Sequence, residues 1–81
     1  MSADDLVRIL RALAWAVLDG VRAARDGLDI VILAVAVARI LGLEGPDDER
    51  IARAWERDRT TIAHRRAKVE ARLRGVIRQQ L

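Results

Sequence analysis

Residues 46–80 read PDDERIARAWERDRTTIAHRRAKVEARLRGVIRQQ, and whether this stretch forms one helix or two decides the fold. Pro46 stands where a first helical residue is favoured, and Asp47, Asp48 and Glu49 follow it against the positive end of the helix dipole. No Gly or Pro interrupts the run before Gly75, so the pattern predicts a continuous helix of 35 residues, roughly 52 Å long. Its one weak point is Arg59-Thr60-Thr61, where β-branched hydroxyl residues can cap a new helix and split the segment.

Upstream of this stretch the same signals define two shorter helices. Ser2 and Asp5 have the spacing of a reciprocal cap, and Leu6, Leu10, Leu13, Val17, Val21 and Ala24 keep the helical period, which predicts a first helix over 3–26. Its neighbouring face carries Ala12, Ala16, Gly20 and Ala23, small enough to let another backbone come close. Gly27 is expected to end this helix in a left-handed cap, and Asp29 to cap a second helix over 30–41, with Leu28 and Leu33 as a hydrophobic staple. Residues 30–38 are apolar all round but far short of the roughly 20 needed to cross a bilayer, so a buried helix is predicted and no transmembrane segment.

The fold class expected is therefore all-α: a three-helix up-down-up chain, a single helical domain over 1–81, with a long C-terminal helix. A compact chain of this length has a radius of gyration near 12 Å, so a straight 52 Å helix protrudes beyond what the first two helices can cover. Its stripe reads Ile51, Trp55, Asp58, Ile62, Arg66, Val69, Leu73, Val76, in steps of three and four. Counting outward from Ile62 pairs Trp55 with Val69, Ile51 with Leu73 and Asp58 with Arg66, as a two-fold antiparallel crossing requires. This predicts a homodimeric bundle in which Asp58 of one copy faces Arg66 of the other and the pairing sets the register. Trp15, on the far side of the first helix from Leu6 and Val17, is a further candidate anchor for a protein partner.

Composition narrows the function classes. The absence of Cys removes disulfides, thiolate metal sites and thiol nucleophiles, and the absence of Phe and Tyr leaves Leu, Ile, Val and Ala to fill the core. Apolar residues make up 52% and charged residues 33%, too hydrophobic for disorder and too charged for a membrane span. The acidic start lacks the charge pattern of a signal peptide, which makes a cytoplasmic location the default expectation. The net charge of +3 is concentrated in 59–81, where seven basic residues oppose the single Glu70. Arg65, Lys68, Arg72, Arg74 and Arg78 are candidate contacts to a phosphate backbone, although they spread around the helix instead of forming one stripe, and the acids of 47–49 oppose docking.

No catalytic, metal or cofactor motif stands out. His64 is the only histidine and lies opposite the stripe, where exposure is expected; Lys68 is the only lysine and points away from it. Asp58 beside Trp55 and Ile62 is the best enzymatic candidate, a carboxylate on an apolar stripe that could act as a general base on a planar ligand. Arg66 on the same stripe opposes that use. No natural family maps onto the chain residue by residue. The clear caps and the Gly-Pro-Asp-Asp start are similar in style to computationally designed helical bundles, while fourteen arginines to one lysine fit a GC-rich genome equally. The function expected from these features is a self-associating scaffold or protein-binding module without catalysis or cofactor, with nucleic-acid binding as the alternative.

Overall fold

A computed structural model describes residues 2–81, and it contains four helices: α1 (Ala3–Ala23), α2 (Gly27–Ile40), α3 (Asp48–Ala54) and α4 (Arg59–Gln80). The chain is all-α with a long C-terminal helix, but the three-helix architecture and its 35-residue rod are overturned. The rod is broken at 55–58. Helix α4 has 22 residues, about 33 Å, and the other three helices all pack on it.

The break has a defined geometry. The Arg57 N–H donates to the Ala52 carbonyl at 2.8 Å and the Glu56 N–H to the Arg53 carbonyl at 3.4 Å, with Glu56 in the left-handed region at φ 53°. This is a Schellman ending in which a glutamate occupies the place usually held by glycine. Asp58 then caps α4, its carboxylate accepting the Thr60 N–H at 2.7 Å. The left-handed residue costs about 1–2 kcal/mol, while burying one isoleucine side chain returns about 1.5–3 kcal/mol. Turning the chain puts both Ile51 and Ala52 into contact with Leu28, Ile32, Val35 and Ile62. Burial therefore wins, and the surface that a rod would have left for a second copy is covered by the chain itself. The two-fold crossing at Ile62 falls with the rod, since Ile62 is fully buried within its own chain.

The α1–α2 junction also differs from expectation. Helix α1 stops at Ala23, and Gly27 opens α2 instead of closing α1. The cause is a reciprocal cap: the Asp26 carboxylate accepts the Asp29 N–H at 2.9 Å, and the Asp29 carboxylate accepts the Arg25 N–H at 2.8 Å. At the other end of α2, Gly42 takes φ 73° and the Leu43 N–H donates to the Ala38 carbonyl at 2.8 Å, a Schellman ending with its usual residue. At the start of α1 the Ser2 hydroxyl accepts the Asp5 N–H at 3.1 Å, which is one half of the reciprocal cap expected there.

The core has two parts. One joins Leu28, Ile32 and Val35 of α2 to Ile51 and Ala52 of α3 and Ile62 of α4. The other joins Ala16 of α1 to Leu33 and Ala36 of α2 and Leu73 of α4, and Val69 packs against both. The radius of gyration is 13.4 Å, with a longest extent of 43 Å.

Candidate functional site

Three features could carry a function: an ion-pair network where α3 meets α4, the outer face of α1, and a cleft between α1, α2 and α4.

The network centres on Arg66. Its guanidinium donates to both Asp48 oxygens, at 2.7 and 2.9 Å, and to Glu70 at 3.2 Å. Glu70 is the one buried charged residue among those described, 9% exposed, and also meets Arg39 at 3.0 Å and Arg74 at 3.9 Å. The Arg66 hydrogen bonds hold the Asp48 carboxyl below its ordinary range against the opposing effect of burial, and the same contacts raise the Arg66 pKa. Every buried side-chain polar atom among the described residues has a partner. The network fastens α2, α3 and α4 together.

Helix α1 has two contrasting faces. Ala12 and Ala16 are buried, and a Cβ placed on Gly20 would collide with the buried Leu33 side chain. The small-residue face is thus the one that packs inward. The stripe of larger residues faces out: Leu6, Leu10 and Val21 are about half exposed, Val7 and Leu18 flank them similarly, and Leu13 and Val17 are partly covered.

The cleft has a volume of about 220 Å³. Its apolar lining is Gly20 and Ala23 of α1, Ala24 just after it, Leu33 of α2, and Val69 and Leu73 of α4. Arg72 forms a two-pronged pair with Asp19 across its mouth, at 2.7 and 3.1 Å. Arg65 approaches Asp29 at 3.5 Å, and Arg25 meets the same carboxylate at 3.3 Å. The Arg72 hydrogen bond pulls the Asp19 pKa below its ordinary value; at Asp29 the Arg25 N–H does so first, with the guanidiniums of Arg25 and Arg65 adding to it.

The residues singled out in the sequence are dispersed by this arrangement. Of the former stripe, Ile51, Ile62 and Leu73 are core, Val69 and Val76 pack at its edge, and Trp55 ends α3 partly exposed, its indole 3.2 Å from where a Cβ on Gly27 would stand. Asp58 is an exposed helix cap that accepts the Thr60 N–H, so the apolar surroundings expected to make it a general base are not formed around it. Arg66 meets Asp48 and Glu70 of its own chain, where Asp58 of a second copy was expected. Trp15 is exposed on a flank of α1. His64 is exposed too. Arg65, Arg72 and Arg74 are engaged by carboxylates, and the Arg78 Nε donates to the Arg74 carbonyl at 3.4 Å. Lys68 makes no ion pair among the described residues.

Sequence reasoning missed Asp19, Asp29 and Asp48 as partners of α4. Asp48 lies 18 residues from Arg66, and only the turn at 55–58, next to the weak point at Arg59-Thr60-Thr61, brings them together. Among the described residues no group of His, Asp and Glu side chains is placed to hold a metal ion, and no helix is long and apolar enough to cross a membrane. Comparison with protein-family models, with curated proteins and with solved structures finds no match to the chain.

Proposed function

We propose that the chain is a protein-association module that uses the outer face of α1, and that the occupant of that face is a second copy of the chain. One observation carries this reading. The helix turns Ala12, Ala16 and Gly20 inward and leaves Leu6, Leu10 and Val21 about half exposed along one stripe. Contiguous exposed apolar surface of this kind is what protein interfaces use.

The stripe is self-complementary. Reflected about the midpoint between Leu13 and Ala14, Leu6 falls opposite Val21 and Leu10 opposite Val17, as a two-fold antiparallel pairing of α1 with its copy requires. The same crossing sets the acidic first turn, Asp4 and Asp5, of each copy at the level of Arg22 in the last turn of the other. Helix dipoles and end charges then oppose favourably. This interface is unrelated to the rod crossing at Ile62, whose Ile51, Ile62 and Leu73 are buried inside the chain.

Light scattering coupled to size exclusion tests it. The wild-type chain should run at twice its 9.1 kDa mass at tens of micromolar, and Leu10→Glu should run at the single-chain mass with unchanged helical circular dichroism. A wild-type chain at 9.1 kDa throughout that range contradicts self-association. The nucleic-acid reading has less support, since Arg65, Arg72 and Arg74 already face carboxylates. Salt-sensitive binding to duplex DNA that is lost in Arg74→Gln and Arg78→Gln would reverse that preference.

A further inference from the structure

The cleft between α1, α2 and α4 combines an apolar floor with an uneven basic rim. The cleft is lined on one side by Gly20, Ala23 and Ala24, with Leu33 packed directly against Gly20, and on the α4 side by Val69 and Leu73. Arg65, Lys68 and Arg72 succeed one another on one face of α4 at steps of three and four, and all three line the mouth, as does Arg25. Only two carboxylates, Asp19 and Asp29, answer these four cations. They take Arg72 at one end and Arg25 with Arg65 at the other. Lys68 stands between the two paired ends, over the apolar floor, with no carboxylate of its own among the described residues.

We propose that this cleft binds a small amphipathic carboxylate, its ring or short alkyl body on the Leu33–Val69–Leu73 wall and its carboxylate on the Lys68 ammonium. The size suits such a body. An apolar cavity of about 150 Å³ takes a benzene, and this cleft of about 220 Å³ has room for a fused pair of rings bearing one charged group. The rim selects for charge as well. An incoming carboxylate supplies the counter-charge that Lys68 lacks, whereas a cation would meet a rim with four positive groups against two negative ones. The apolar floor disfavours a bare inorganic anion, which would leave that surface to water.

The test uses 1-naphthoate, its neutral amide 1-naphthamide, and inorganic phosphate, each titrated into isotope-labelled full-length chain and followed by methyl and amide shifts. Naphthoate should move the methyls of Leu33, Val69 and Leu73, and should bind about tenfold more tightly than naphthamide. Lys68→Gln should remove that preference while leaving naphthamide binding unchanged, which separates loss of the charge from loss of the fold. Ala23→Phe, which puts a ring into the floor from a partly exposed helix position, should weaken both. Equal affinity for acid and amide, shifts located away from these methyls, no shift at millimolar ligand, or an equal response to phosphate would each overturn the proposal. The titrations are run on the Leu10→Glu chain as well as the wild type, so that a second copy's acidic first turn beside the cleft does not enter the readout.

Discussion

The junction of α3 with α4 and the outer face of α1 are built on opposite principles. At the junction, charged side chains are taken partly out of water and each finds a partner: Arg66 holds Asp48 and Glu70, and Glu70 also meets Arg39 and Arg74. On α1, Leu6, Leu10 and Val21 are left about half in water, while Ala12 and Ala16 occupy the protected side. The first region is satisfied within the chain, so changing it should affect folding. The second is incomplete within the chain, so changing it should affect association and leave folding alone.

The largest effect should come from breaking the satisfied region. Arg66→Ala leaves Asp48 without its cation and Glu70 with only Arg39 and Arg74, and removing one partner of a largely buried pair costs roughly 3 kcal/mol. Urea unfolding should show this as a lower midpoint with an unchanged slope. Acid should attack the same region. Asp48, Asp19 and Asp29 all have carboxyls held below the ordinary value of 3.8 by their hydrogen-bonded partners, so the folded chain binds fewer protons than the unfolded one as pH falls through that range. Their contribution is complete above the unfolded carboxylate range and is lost progressively as pH falls through it toward the lower folded values. Thermal melts between neutral and acidic pH should show a steady loss, smaller in Asp48→Asn than in the wild type.

The two faces of α1 sharpen the contrast on a single helix. Ala16 is completely buried, and Ala16→Leu should cost about 2 kcal/mol by overpacking against Leu33 and Leu73. Leu10 is 54% exposed, and Leu10→Glu should change monomer stability by less than about 0.5 kcal/mol while abolishing association. Equal losses at both positions would mean that the outer face is part of the fold. The smallest effect is a gain. Glu56 sits at φ 53°, and Glu56→Gly should stabilise the chain by about 1 kcal/mol by relieving the left-handed strain, read as a higher melting temperature.

Glu56 and Gly42 also show where the sequence can be read. Both close a helix with the same hydrogen-bond pattern, but Gly42 announces its conformation and Glu56 does not. The end of α2 was therefore legible and the end of α3 was not, and reading 46–80 as one helix followed from that difference. Helix existence, the Ser2 cap and the close-packing role of Gly20 rest on local chemistry and could be seen in the chain. The Arg66–Asp48 pair and the cleft rim are non-local: they require knowing that 55–58 turns, and that the small face of α1 goes inward although its stripe of leucines is the more hydrophobic. The length mismatch was real for a rod, and the chain resolves it by folding the rod over itself.

A cysteine reporter tests the central claim directly, because the chain contains none of its own. Ala14 is exposed beside the midpoint of the α1 stripe, and Thr61 is exposed next to the centre of the abandoned rod crossing. Under mild oxidation at tens of micromolar, Ala14→Cys should yield a covalent dimer and Thr61→Cys should remain single. A Thr61→Cys dimer formed as readily, or no Ala14→Cys dimer at all, would contradict pairing through the outer face of α1.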